Sequence, residues 1–193
     1  MTIGLTGGIG SGKTTVAKLF ETMGCVIYNS DDKAKDVYFN AGVKAKVIAL
    51  LGENAYLNAT TLDKKYISEK VFSDNELLQR LNAIIHPAVK NDFEAFTHHY
   101  SNQLVIKESA ILFETGIYKG LDATILITAP LNEKIERVMK RNGVSKAEVE
   151  KRMQSQWTDE EKIPLANYII SNASSEALIP QAIHILKQIN NNA

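Results

Sequence analysis

Residues Gly7 to Thr14 read Gly-Gly-Ile-Gly-Ser-Gly-Lys-Thr, a Gly-x-x-x-x-Gly-Lys-Thr spacing placed directly after the apolar run Ile3-Gly4-Leu5. This pattern suits the binding of nucleoside triphosphates. Glycines let the backbone take positive φ and turn its N–H groups inward around phosphate oxygens, and a following helix adds the positive end of its dipole to the same anion hole. Lys13 is then placed to reach the β- and γ-phosphates, and the Thr14 hydroxyl is a ligand for Mg²⁺. A glycine-rich turn that merely joins strand to helix is the plainer alternative, but it leaves the intact Gly12-Lys13-Thr14 ending unexplained.

Such a loop needs a strand in front of it, a helix behind it and a sheet to hold both. The helix shows in Val16, Ala17, Leu19, Phe20 and Met23 on one side, with Gly24 as its C-terminal cap. Short apolar or β-branched runs recur at 3–5, 25–28, 104–106, 124–128 and 168–170, separated by amphipathic segments. The alternation predicts an α/β fold of the P-loop NTPase type, a parallel sheet flanked by crossover helices.

Two stretches break the alternation. Residues 41–100 have helical spacing in Val43-Val47-Ile48-Leu51 and Leu77-Leu78-Leu81-Ile84-Ile85 but no convincing strand, and read as a helical insertion that turns at His86-Pro87. Residues alone make His86 a turn residue. Residues 131–162 carry Arg137, Lys140, Arg141, Lys146, Lys151 and Arg152 around the thin apolar stripe Ile135-Val138-Met139. That is the pattern of a helical lid, although the same arginines suit an exposed charged face. Capping-box spacings at Ser73 to Glu76, Ser145 to Glu148 and Thr158 to Glu161 predict helix starts, and a last helix is expected over 180–189 with Pro180 in its first turn. The expected organisation is a single domain, with a core of about 1–40, 101–130 and 163–193, the insertion at 41–100 and the lid at 131–162.

In open parallel sheets, ligands bind beyond the carboxyl ends of the strands. The residues there are Asn29-Ser30-Asp31-Asp32, Glu108, Thr128-Ala129-Pro130 and Ser171-Asn172. Asp31 could accept the proton of an attacking hydroxyl or help hold Mg²⁺ through water. It could equally be a helix-start residue, a role that Asp32 fits better. No Asn-Lys-x-Asp motif and no Asp-x-x-Gly switch follows a strand, which disfavours a GTPase switch.

Lys plus Arg equals Asp plus Glu at 22 each, so the global basic field used in sequence-independent nucleic-acid binding is missing. The single cysteine, Cys25, excludes an intramolecular disulfide and a cysteine metal cluster. Neither a signal peptide nor a membrane span is expected, and the expected location is the cytoplasm.

Taken in order, the motifs resemble those of the dephospho-CoA kinase family nearly end to end. The resemblance rests on Leu5-Thr6-Gly7-Gly8-Ile9-Gly10-Ser11-Gly12-Lys13, on Asp31 in the place of the second Asp of an Asp-Ala-Asp, and on Leu81-Asn82-Ala83-Ile84-Ile85-His86-Pro87. It continues through Leu112-Phe113-Glu114, Arg137, Arg141, Arg152 and Gln156, and ends in Ala166-Asn167-Tyr168-Ile169-Ile170-Ser171-Asn172. Asn29 departs from the first Asp of the Asp-Ala-Asp, Ala110 from a common Pro, and Ala173-Ser174 from a common Asn-Gly.

The resemblance implies transfer of the ATP γ-phosphoryl group to the ribose 3′-hydroxyl of dephospho-CoA, with Mg²⁺ bound at Thr14. It implies ATP binding by Gly8, Ile9, Gly10, Ser11, Gly12, Lys13, Thr14, Thr15 and Asn172, and acceptor binding by Thr6, Asp31 and His86. The catalytic set it implies is Asp31, Lys13, Arg141 and Arg137. Partners would be small molecules, with no nucleic acid and no membrane. Another small-molecule or nucleotide kinase on the same scaffold, or a non-catalytic nucleotide-binding regulator, are the competing readings.

Overall fold

A computed structural model describes residues 1–72 and 74–191. In chain order its elements are β1 (Thr2–Thr6), α1 (Lys13–Thr22), β2 (Val26–Asn29), α2 (Ser30–Asp36), α3 (Ala41–Leu51), β3 (Tyr56–Asn58), β4 (Thr61–Leu62), α4 (Lys64–Phe72) and α5 (Asn75–His99). There follow β5 (Val105–Glu108), β6 (Ala123–Thr128), α6 (Leu131–Asn142), α7 (Lys146–Met153), α8 (Asp159–Lys162), β7 (Tyr168–Ser171) and α9 (Leu178–Asn191). Contacts divide the chain into a sheet unit, Met1–Asn29 with Tyr100–Ala193, and a helical unit, Ser30–His99.

The sheet unit is built on five parallel strands in the order β2-β5-β1-β6-β7. Central strands buried on both faces read as apolar runs, and the five runs expected from the sequence are these five strands, the edge strands β2 and β7 being only partly covered. Ile3 and Leu5 of β1, with Ile106 of β5, Ile125 and Ile127 of β6 and Ile170 of β7, pack against Val16, Ala17 and Phe20 of α1 and Ala182, Ile185 and Ile189 of α9. The 3.6-residue spacing on α1 and α9 turns these side chains to the sheet, and each fully buried Leu, Ile or Phe contributes about 1.5–3 kcal/mol. Register carries β1 into the phosphate loop beside the carboxyl ends of both β5 and β6.

The capping boxes at Ser145 and Thr158 both form: each hydroxyl accepts from the N–H of Glu148 or Glu161, and each of these carboxylates accepts from the cap N–H. Ser73, the third expected cap, lies outside the described residues.

The helical unit has its own core of Val37, Val47, Leu51, Ala55, Leu81 and Ile85. Val37, just beyond α2, packs in this cluster, which is why the helix carrying Asp31 groups with α3 and α5 although the insertion was expected to begin only at 41. Two expectations need correction. A small antiparallel hairpin, β3 with β4, stands where no strand was expected; its strands of three and two residues are too short to show alternation, and its turn is fixed by Asn58 Oδ1 accepting from the Thr60 N–H at 2.9 Å. His86-Pro87 is not a turn: α5 runs straight through it as a 25-residue helix with Pro87 inside. Proline costs an interior helix one hydrogen bond, yet here Leu77, Leu81 and Ile85 before it and Val89 after it belong to one packed stripe.

Candidate active site

The phosphate loop leaves β1 at Thr6 and enters α1 at Lys13. Gly10 and Gly12 sit at φ +81° and +95°, backbone that L side chains rarely adopt. A Cβ at Gly10 would collide with the Lys134 backbone carbonyl, and one at Gly12 with the Asn172 side-chain amide, so both glycines also allow close approach by neighbouring segments. The loop closes with the Ser11 N–H donating to the Gly8 carbonyl at 3.1 Å, and helix α1 opens with the Thr15 and Val16 N–H groups donating to the Gly12 carbonyl. The Lys13 ammonium folds over this ring and donates to the carbonyls of Gly7 at 2.9 Å and Gly8 at 3.4 Å. Thr6 and Ser11 are fully buried, and their hydroxyl oxygens have no hydrogen-bond partner among the described residues.

Thr14 and the carboxyl end of β5 meet across the loop. The Thr14 hydroxyl donates to Glu108 Oε1 at 3.2 Å, and the Asn29 amide donates to Glu108 Oε2 at 3.3 Å. A hydroxyl beside a carboxylate is a hard oxygen pair, the donor type that Mg²⁺ takes together with phosphate oxygens and water. The residues present therefore fit that ion. Among the described residues no group of three or more His, Cys, Asp or Glu could hold a metal, which is no obstacle for an ion bound chiefly by one or two protein oxygens.

Helices α6 to α8 bear directly on the loop. Ile9 packs into their apolar cluster of Ile135, Val138 and Val149, and its N–H donates to Gln156 Oε1 at 2.9 Å. Half-buried Arg137 donates from one nitrogen to the Asn172 carbonyl and to Glu133, both at 2.7 Å. Glu133 in turn accepts from the N–H and hydroxyl of Ser174 at 3.0 and 2.8 Å. The departure Ala173-Ser174 thus creates a fixed attachment of the loop after β7. The Asn172 amide donates to the Ser11 carbonyl at 2.8 Å, so that loop, Arg137 and the phosphate loop form one connected set.

Arg141 is different. It is exposed, and its Nε donates to the neighbouring Asn142 at 2.9 Å. Arg137 and Arg141 therefore do not form a pair on the loop, although both were expected in the catalytic set. A cavity of about 320 Å³ is walled by Gly8, Ile9, Lys134, Gln156, Trp157 and Asp159 among others. Lys134 and Asp159 were missed from the sequence. The available signal was the position of Lys134 four residues before Val138, on the apolar side of α6, where a lysine needs a partner. Glu114 is explained by packing: its carboxylate pairs with fully buried Lys162 at 2.8 Å and accepts from the Trp157 N–H at 3.0 Å, fixing the far end of the same segment.

In the helical unit, Asp31 is exposed in the first turn of α2, and its neighbour Asp32 pairs with Lys35 at 2.7 Å. His86 is exposed on α5, one residue beyond buried Ile85. Cys25 is buried, and burial pushes its thiol up to about 11, a protonated and unreactive state at neutral pH. Among the described residues no helix is long and apolar enough to cross a membrane.

The family model described as dephospho-CoA kinase matches residues 1–177. A protein named dephospho-CoA kinase from Bacteroides fragilis is 36% identical over 186 residues, covering 95% of this chain and 90% of the relative. One of the same name from Salinibacter ruber is 38% identical over 175 residues, covering 89% and 88%. The crystal structure of TT1252 from Thermus thermophilus superposes with a TM-score of 0.88 at 33% identity, over 98% of this chain and 97% of that one. With the phosphate loop, the five-stranded parallel sheet and these matches in agreement, the chain belongs to the dephospho-CoA kinase family.

Proposed function

We propose that this protein transfers the γ-phosphoryl group of ATP to the ribose 3′-hydroxyl of dephospho-CoA, giving CoA and ADP, and that it does so in the cytoplasm. The observation that carries the reading is the closed glycine loop with Lys13 folded over it and Thr14 beside Glu108, in a chain of this family. The loop N–H groups hold the β-phosphate, and Lys13 leaves the Gly7 and Gly8 carbonyls for the β- and γ-phosphate oxygens. Thr14, backed by Glu108, would hold Mg²⁺, which when bound neutralises charge between the β- and γ-phosphates. Asp31 accepts the proton of the 3′-hydroxyl as its oxygen bonds to the γ-phosphorus and the bond to the β-bridging oxygen breaks. Arg141 supplies charge to the transferring group from the lid segment, Arg137 orders the nucleotide-side loop through Asn172, and His86 contacts the acceptor. The even charge balance favours small-molecule partners over nucleic acid.

Incubation with MgATP and dephospho-CoA, followed by mass spectrometry and phosphorus NMR of the product, tests this. The expected product carries a new phosphate on the 3′-oxygen only. Phosphorylation of shikimate, AMP or another small alcohol with dephospho-CoA untouched would leave a generic kinase, and ATP binding without any acceptor-dependent turnover would leave a regulator.

A further inference from the structure

Two lysines converge on Gly8. Lys13 reaches its carbonyl from α1, and the Lys134 ammonium, from α6, lies 3.8 Å from where a Gly8 Cβ would stand. Lys134 also presses its own backbone carbonyl against Gly10, so its position relative to the loop is fixed at two points. Its side chain is only 11% exposed and is paired with Asp159 at 2.8 Å, itself 13% exposed. The second oxygen of Asp159, Oδ1, is buried without a hydrogen-bond partner among the described residues and lies 3.7 Å from the same Gly8 Cβ position. Gln156 holds the segment carrying Asp159 to the loop through the Ile9 N–H.

Both charges face the part of the loop that Lys13 marks as the β/γ end, and both wall the cavity that Gly8 opens into. A buried carboxylate there opposes an incoming polyanion, while a buried ammonium favours it. We propose that Lys134 is a second cation of the donor triphosphate site, neutralised by Asp159 until the terminal phosphates replace that carboxylate as its partner. The assignment rests on the ATP-dependent reading of the loop and goes beyond it by giving this chain a specific sensor of the third phosphate.

Binding of MgATP and MgADP to the full chain without acceptor, measured by calorimetry, tests it. Lys134→Met keeps the aliphatic stem and should weaken ATP about tenfold or more while changing ADP less than about twofold, because a charge-assisted contact to the terminal phosphate is lost. Lys134→Arg should restore most of the ATP preference. Asp159→Asn should tighten ATP, since Lys134 no longer surrenders a carboxylate. Equal weakening of ATP and ADP by Lys134→Met, or no weakening of either, would overturn the proposal. So would weaker ATP binding in Asp159→Asn, which would make the pair a structural clamp, and this arm decides alone if Lys134→Met does not fold. A wild-type protein that binds neither nucleotide would instead overturn the phosphate-loop reading itself, a result distinct from all of these.

Discussion

The side-chain amide of Asn172 donates to the backbone carbonyl of Ser11 at 2.8 Å, tying the end of the last strand to the phosphate loop across 161 residues of chain. The contact exists because Gly12 has no side chain: a Cβ there would strike the Asn172 amide. Asn172→Ala should therefore release the loop and raise the ATP KM about fivefold, the equivalent of one ordinary hydrogen bond. Gly12→Ala should do far worse, since it meets both the collision and a φ of +95°. Steady-state kinetics with a thermal melt check both. An ATP KM unchanged in Asn172→Ala would show that the loop holds its shape without this tie.

Arg137 and Arg141 should separate. Arg137 holds the Asn172 carbonyl and Glu133, so Arg137→Ala should weaken ATP binding several-fold. Arg141 donates a hydrogen bond to its neighbour Asn142 and is exposed, so Arg141→Ala should leave the ATP Kd alone and lower kcat. Unchanged kcat in Arg141→Ala would remove it from the catalytic set.

Cys25 gives the pH dependence a defined sign. Burial lifts its thiol from 9.0 to about 11, so between those values the folded state holds a proton that the unfolded state has released. Stability is fully present below pH 9 and falls as pH rises toward 11. Denaturant titrations should show this loss, and Cys25→Ala should flatten it. A thiol reagent that modifies native protein at pH 8 as fast as unfolded protein would contradict the burial on which this rests.

What could be read from the sequence follows from how local each cause is. The loop was legible because its glycines, Lys13 and Thr14 are contiguous, and the strands because burial on both faces leaves uninterrupted apolar runs such as Ile125-Leu126-Ile127. The capping boxes at Ser145 and Thr158 each span four consecutive residues and were equally plain. The Lys134–Asp159 pair joins residues 25 apart: the apolar side of α6 marks Lys134 as a lysine that needs a partner, but only the approach of α8 shows that Asp159 is that partner. His86-Pro87 misled because proline propensity is local while the packing of Leu81, Ile85 and Val89, which holds α5 through it, is not.

Asp31 and Asp32 offer an internal control for the proposed base. Asp32 is spent on Lys35 in an ion pair with both side chains more than half exposed, so Asp32→Asn should change activity and stability little. Asp31→Asn keeps size and hydrogen bonding but cannot accept a proton. Its turnover should fall by about 10²-fold, the lower end for a general base, because a loose phosphoryl-transfer transition state asks less of one. Substrate dissociation constants should hold. Comparable damage from both substitutions would reduce Asp31 to a helix-start residue of α2.

The acceptor decides which kinase this is, and the prediction that bears on it concerns His86. The side chain is exposed on α5 and clear of the cluster formed by Leu81 and Ile85, so His86→Ala should leave the thermal melt where it is. Any kinetic effect is then a statement about ligand contact. If His86 meets the ribose or phosphates of dephospho-CoA, its removal should raise the acceptor KM by about 1–3 kcal/mol, roughly five- to 150-fold, with ATP binding unchanged. His86→Gln, which keeps a hydrogen-bonding tip, should recover part of that loss. Measured at saturating ATP, an acceptor KM equal to wild type in both variants would return His86 to an ordinary surface position and move the search for the acceptor contact to other residues of the helical unit.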